Sequence, residues 1–271
     1  MDHTSAPPPD LRIIRVDSAH PHEEHDSQRS APLMSRLQAA EFMINPPVVA
    51  PMGASQFVIL DGANRFYAFQ SLHYPHILVQ VVSYDSGYVD LQTWQHVISG
   101  WDEDQFLTEL HQLKMVKLVE GQDADSIAHI LFRSGHVVGI CCPVETTHER
   151  NEVLRQVVSV YQRHARLNRT AIHEPQEIWL LYPEAFGFVL FPRYTPNDII
   201  AAAKYKAFLP PGISRHIVHG RALRVNYPMA LLRDENTRLA DKNAALVEWV
   251  QAKLANRAVR YYAEATYQFD E

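Results

Sequence analysis

The stretch "FVILDGANRFYAFQSLHYPHILVQVV", residues 57–82, constrains the fold more than any other part of the chain. A run of strand formers meets Asp61-Gly62, Phe66, Phe69 and Leu72 follow at helical spacing, and "HILVQVV" returns as a strand. β-branched and aromatic residues suit a pleated, half-buried surface, while apolar positions three apart suit one helix face. The order strand, glycine turn, helix, strand therefore predicts an α+β unit with the turn at its middle.

That turn also has a chemical reading. The start of a helix exposes unpaired backbone N–H groups and the positive end of the dipole, so a glycine-containing turn there can receive phosphate oxygens. Gly62 lets the backbone come close, Asn64 can donate an amide hydrogen bond, and Arg65 offers a planar fork of donors. Asp61 at the strand end can hold Mg²⁺ directly or through a water. The bland alternative is a plain Asp-Gly turn, an Asn cap and a surface Arg, and spacing alone favours it.

Around this unit, "LRIIRV" (11–16) reads as a strand, 20–26 as a polar loop, 32–43 as a helix stopped by "NPP", and 48–50 and 56–60 as strands. Further on, "YVDLQTWQHVI" reads as one half-buried strand and 102–113 as a helix. A hairpin turns at Ser134-Gly135, a helix spans about 147–166, and another is capped by Thr195. A second hairpin is expected about His219-Gly220, then a helix at 236–256 and a strand pair at 258–269. We divide the chain into a disordered tail (1–10), a nucleotide-binding domain (11–100) and a C-terminal α+β domain (101–271).

Composition excludes several classes. The 271 residues carry a net charge of −6 and no run of Lys and Arg, which argues against nucleic acid as the main partner. No apolar run reaches membrane-spanning length and no signal peptide opens the chain, so a cytoplasmic protein is expected. Cys141 and Cys142 are adjacent, which offers no disulfide framework. Cys141 to Pro143 also matches a haem-regulatory Cys-Pro pattern, against which we favour buried core. The cluster His20, His22, Glu23, His25, Asp26 could bind a transition metal, but its spacing fits no standard zinc site.

The turn in "DGANRFYAFQSLHYPHILVQVV" is similar to the Asp-Gly-x-His-Arg signature of the ParB/sulfiredoxin-like superfamily. With "LRIIRVDSAHPHEE", "LQTWQHVI", "PPGISRHIVHGRALRVNYPMALL" and "EWVQAKLANR" in the same order, the chain resembles the free L-serine kinases of the staphyloferrin B siderophore pathway type. The resemblance implies an N-terminal ParB/sulfiredoxin-like unit with a mixed sheet, and a kinase making O-phospho-L-serine from serine and ATP or ADP with Mg²⁺. It implies Glu23 as catalytic base, Asp61 as catalytic and metal-holding carboxylate, and Asp61, Gly62, Ala63, Asn64 and Arg65 as the nucleotide site. Trp94, His96, Ser214, Arg215 and His216 would bind the amino acid. Asn64 stands where the family usually has His, which puts a charged role there in doubt. The competing reading is a ParB-like DNA-binding regulator, though neither a helix-turn-helix nor a basic surface is evident. A sulfiredoxin-like reductase would need a Cys in the turn, and none is there. DNA or haem binding is not favoured, and the sequence leaves a homodimer open.

Overall fold

The computed structural model describes residues 6–25, 27–144 and 146–262, with the backbone alone for 27–31. The chain forms two compact units. The first comprises residues up to Pro21, His25–Asp90 and His216 onward; the second comprises His22–Glu24 and Leu91–Arg215.

The first unit opens with β1 (Asp10–Arg15), β2 (Ala19–Pro21), α1 (Ser27–Ala39), β3 (Phe42–Met43), β4 (Val48–Pro51), β5 (Phe57–Asp61), α2 (Ala63–Ser71) and β6 (His76–Val81). Its mixed sheet runs in the order β1-β6-β4-β5-β2, with β4 antiparallel and β2 parallel to β5. The strand, turn, helix, strand order is present as the sequence predicts. β6 is buried along its whole length between β1 and β4, which explains its near-continuous apolar run. From α2, Phe66, Ala68 and Phe69 pack with Ile13, Val49, Ile59 and Leu78. Each such aromatic contributes about 1.5–3 kcal/mol by leaving water.

Two expectations shift here. The helix expected over 32–43 is α1, and Phe42–Met43 is a short strand instead, with Met43 fully buried. The tail expected over 1–10 is too long. Residues 1–5 lie outside the described residues, but Asp10 already pairs with Val81, and Ala6 N–H donates to the Tyr261 hydroxyl at 3.1 Å.

The chain leaves the first unit within β7 (Val89–Thr93). The second unit then contains β8 (Gln95–Ser99), α3 (Glu103–His111), β9 (Lys117–Glu120), β10 (Ala128–Phe132), β11 (Val137–Cys141), α4 (Thr147–His164), β12 (Arg166–Thr170), α5 (Pro175–Leu181), β13 (Ala185–Leu190) and α6 (Pro196–Lys204). Its antiparallel sheet has the order β12-β8-β13-β10-β11-β9. The hairpin at Ser134-Gly135, the 147–166 helix and the Thr195 cap, a full capping box with Asp198, all form as expected. "YVDLQTWQHVI", by contrast, is two strands: the Trp94 N–H leaves the ladder and donates to the Ile213 carbonyl at 2.8 Å.

The chain returns through β14 (Ser214–Val218), β15 (Tyr227–Pro228), α7 (Met229–Arg233) and α8 (Leu239–Ala255). α8 is fastened to β1 by Asn243, whose side-chain amide makes two 2.9 Å hydrogen bonds with the Ile13 N–H and carbonyl. The hairpin expected about His219-Gly220 does not form. Positive φ at Arg224 and Asn226 takes the following backbone out of the extended region, and Tyr227 pairs with Met43 instead. Of the expected 258–269 strand pair, 258–262 carry no strand and the rest lies outside the described residues. The expected boundary before Trp101 is also displaced: the units change at Asp90, and the C-terminal part from His216 rejoins the first. No helix among the described residues is long and apolar enough to cross a membrane.

Candidate active site

In the first unit, β5 delivers Asp61 to its exposed end, with the side chain 59% accessible. Gly62 follows at φ 92° and caps α2, a conformation in which L side chains are strained. A Cβ there would also come within 3.1–3.2 Å of Pro47 and of Arg65 Nη1, so glycine is needed for space as well as for shape. Ala63, Asn64 and Arg65 form the first turn of α2, where backbone N–H groups have no intrahelical partner. The proximity of Arg65 Nη1 to Gly62 shows the guanidinium folded back over the turn. The predicted turn residues are thus together in one place.

Sequence reasoning missed Arg221, whose Nη2 lies 2.7 Å from Asp61 Oδ2 and donates to the Pro46 carbonyl at 3.1 Å. It lies within "SRHIVHGRALRVN", the stretch read as a hairpin. The signal available was an arginine beside a glycine with positive φ demand.

In the second unit, Glu23 is not the solvated acid its charged loop suggests. Its Oε2 accepts the Gly212 N–H at 2.9 Å, and its backbone bridges Leu209, with Leu209 N–H donating to the His22 carbonyl and Glu24 N–H to the Leu209 carbonyl. Glu24 turns away to Arg155 at 3.1 Å. Gly212 has φ 74°, and a Cβ would fall 2.1 Å from the Arg169 guanidinium carbon. Arg169 in turn donates to the Pro211 carbonyl at 2.8 Å. Gly212 and Arg169 are further residues that the sequence reading did not find.

The predicted amino-acid contacts converge on the same 209–215 segment, with one exception. Ser214 Oγ meets His22 Nε2 at 2.6 Å, both buried. The Arg215 guanidinium stacks 4.4 Å from the Trp94 ring and donates to Gln92 at 3.0 Å. His216 groups with the first unit, where its Nε2 meets the Tyr84 hydroxyl at 2.8 Å. His96 is fully buried, and its Nδ1 lies 2.6 Å from the Tyr161 hydroxyl. Burial, with the nearby Arg169 charge adding to it, lowers the His96 pKa to about 3, so the ring is neutral at ordinary pH. A backbone hydrogen bond with Gly212 works against that lowering without overcoming it, so His96 is a neutral ring against the 209–215 segment and not a cation.

No group of three or more His, Cys, Asp or Glu side chains among the described residues could cage a metal ion. The His-rich loop disperses: His20 reaches Gln56, His22 reaches Ser214, His25 stacks on Tyr67 at 3.6 Å, and Asp26 lies outside the described residues. One exposed carboxylate, Asp61, does fit Mg²⁺, which commonly takes one or two protein carboxylates together with phosphates and waters. Cys141 and Cys142 are half-buried, short of the buried core expected for them, and burial pushes the Cys142 thiol up.

No protein-family model matches the chain. Among curated proteins, it is 23% identical to the ATP-dependent L-serine kinase SbnI of Staphylococcus aureus, over 96% of this chain and 97% of that one. It is also 23% identical to the ATP-dependent L-serine kinase of Staphylothermus marinus, over 82% of this chain and 90% of that one. Among solved structures, a free serine kinase in complex with AMP superposes with a TM-score of 0.71 at 16% identity, covering 83% of this chain and 95% of that one. SbnI from Staphylococcus aureus, truncated at its C-terminus, gives 0.69 at 20% identity, covering 91% and 97%. The resemblance read from the sequence therefore extends along nearly the whole chain, and the chain has the fold of the free serine kinases.

Proposed function

We propose that this chain is a phosphotransferase acting on the hydroxyl of free L-serine, with ATP as donor and ADP as the alternative, forming O-phospho-L-serine. Similarity to L-serine kinases over nearly its full length supports the reaction class. The observation that carries the reading is Glu23: an acid in a polar loop whose carboxylate is fixed on the Gly212 N–H and whose backbone is pinned to Leu209.

Phosphoryl transfer depends mainly on positioning and on neutralising charge at the phosphate oxygens. In this assignment the N–H groups opening α2 and the Arg65 guanidinium bind nucleotide phosphates. Asp61 would hold Mg²⁺, which supplies charge neutralisation when bound with the nucleotide. Glu23 accepts the serine proton late in the transfer, an effect worth typically about 10²–10⁴-fold. Arg215, with its plane held by Trp94, supplies donors for the amino acid's carboxylate, and the neutral His96 ring backs the segment that carries it. The product is serine with a phosphate leaving group, so a β-elimination or β-replacement step would consume it, as in 2,3-diaminopropionate or siderophore building-block synthesis.

The test is a coupled assay with L-serine, Mg²⁺ and either ATP or ADP, followed by detection of phosphoserine. Turnover is expected, and Glu23→Gln should lose about 10²-fold or more in kcat while nucleotide affinity stays unchanged. A wild type with no turnover that binds DNA at physiological salt would replace this reading with the regulator.

A further inference from the structure

Arg221 takes no part in the chemistry above, yet its placement is elaborate. Gln80, 3% exposed in the otherwise apolar β6, donates Nε2–H to the Gly220 carbonyl at 3.0 Å and accepts the Ala222 N–H on Oε1 at 2.8 Å. A buried glutamine is costly unless both ends of its amide are used. Here both ends are spent on the two residues flanking Arg221. Gly220, at φ 77°, passes so close to Ala6 that a Cβ would lie 2.8 Å from that residue's methyl group. The backbone of Arg221 is thus fixed on both sides.

The side chain, 19% exposed, ends on Asp61 Oδ2 and the Pro46 carbonyl. Arg65 folds onto the same turn from α2. The Asp61 carboxylate, 59% exposed, meets the Arg221 guanidinium, and the Arg65 guanidinium lies over the neighbouring Gly62. An arginine held largely out of water for the sake of a half-solvated ion pair gains little stability, since solvent screens the exposed partner.

We propose that Arg221 is a second phosphate-binding arginine of the turn, held by Asp61 in the nucleotide-free chain and released to a phosphate oxygen when that carboxylate turns to the cation accompanying a nucleotide. The proposal rests on the reading of the turn as a phosphate site. It predicts competition: Asp61 and phosphate share one guanidinium unless a cation is present.

Calorimetric titration with AMP and ADP, in EDTA and in Mg²⁺, tests this on the wild type, Arg221→Met, Asp61→Asn and the double variant. With Mg²⁺, Arg221→Met should weaken ADP binding about tenfold or more, the scale of one charge-assisted contact, and weaken AMP binding less. In EDTA, Asp61→Asn should tighten ADP binding severalfold, and the double variant should lose that gain. A wild type that binds neither nucleotide would overturn the phosphate turn itself. A wild type that binds, with ADP affinity unchanged in Arg221→Met, or with AMP and ADP weakened equally, overturns only the role of Arg221. If Arg221→Met does not fold, as judged by its melting curve without ligand, Arg221→Lys carries the test. It keeps the charge and loses the fork, and unchanged ADP affinity in it and in Asp61→Asn refutes the exchange.

Discussion

Asp61 and Glu23 are the same kind of group placed in opposite ways. Asp61 ends a strand in the open, and four of its partners in the turn follow within four residues of sequence. Glu23 sits in a loop that looks solvated, and what fixes it, the Gly212 N–H and the Leu209 backbone, arrives nearly two hundred residues later. Under the proposed roles, exposure would suit a carboxylate that receives a hydrated cation along with its ligand, and fixation would suit a base, because a proton acceptor works only within hydrogen-bond reach of the group it deprotonates. A motif contiguous in sequence can thus be read locally, while Glu23 gains its orientation only from tertiary structure.

The sharpest way to break this contrast is Gly212→Ala, which leaves Glu23 in place but disturbs the amide that orients it. The added Cβ would meet the Arg169 guanidinium and must be carried at φ 74°. Left-handed backbone costs a non-glycine residue about 1–2 kcal/mol, and displacing Arg169 would break its bond to the Pro211 carbonyl. We expect kcat to fall about 10²-fold, the scale of a misplacement near 1 Å, with nucleotide affinity unchanged. Full activity in a folded Gly212→Ala protein would show that Glu23 needs no such orientation.

The converse variant, Arg65→Ala, acts on the other region. It should weaken ADP or ATP binding about tenfold, as loss of one charged donor implies, and leave the melting temperature close to wild type. Unchanged nucleotide affinity would remove the turn as the phosphate site, while loss of kcat alone would blur the division between the two regions.

What the sequence made legible follows the same division. The Phe57–Val81 unit was readable because its information is local: β-branched strands, a glycine where φ is positive, and apolar residues at helical spacing. Glu23, Trp94, Ser214 and Arg215 carried a signal only through family resemblance, since no pattern within reach of any of them specifies its partner. Arg169 and Gly212 gave no signal at all. Glycine at 212 is required by its φ of 74°, and the Arg169 guanidinium of β12 packs where a side chain would start, a contact across 43 positions that no periodicity encodes. The hairpin misread at His219-Gly220 has the same origin. Alternating polar and apolar residues there resembled a strand, while the backbone obeys Gln80 and Asn45, which take the N–H groups of Ala222 and Arg224.

The smallest effect separates fold stability in the second unit from the orientation of Glu23. His136, beside the β10–β11 turn, gives Nδ1 to Glu103 at 3.0 Å and Nε2 to Glu120 at 2.9 Å. The Glu103 hydrogen bond, helped by Glu120 and opposed by desolvation, raises the His136 pKa above its usual value. A group whose folded pKa is raised stabilises the fold fully below its unfolded pKa, about 6.5, and loses that contribution as pH climbs through the folded value. The Glu120 side chain is 84% exposed, so solvent screening keeps the contribution small. The melting temperature should therefore drift down between about pH 6 and pH 8, and His136→Gln should flatten that drift while kcat at fixed pH stays the same. If kcat also changed, the carboxylates around His136 would be coupled to the Glu23 loop, and the orientation of Glu23 would depend on more than its contacts with Gly212 and Leu209.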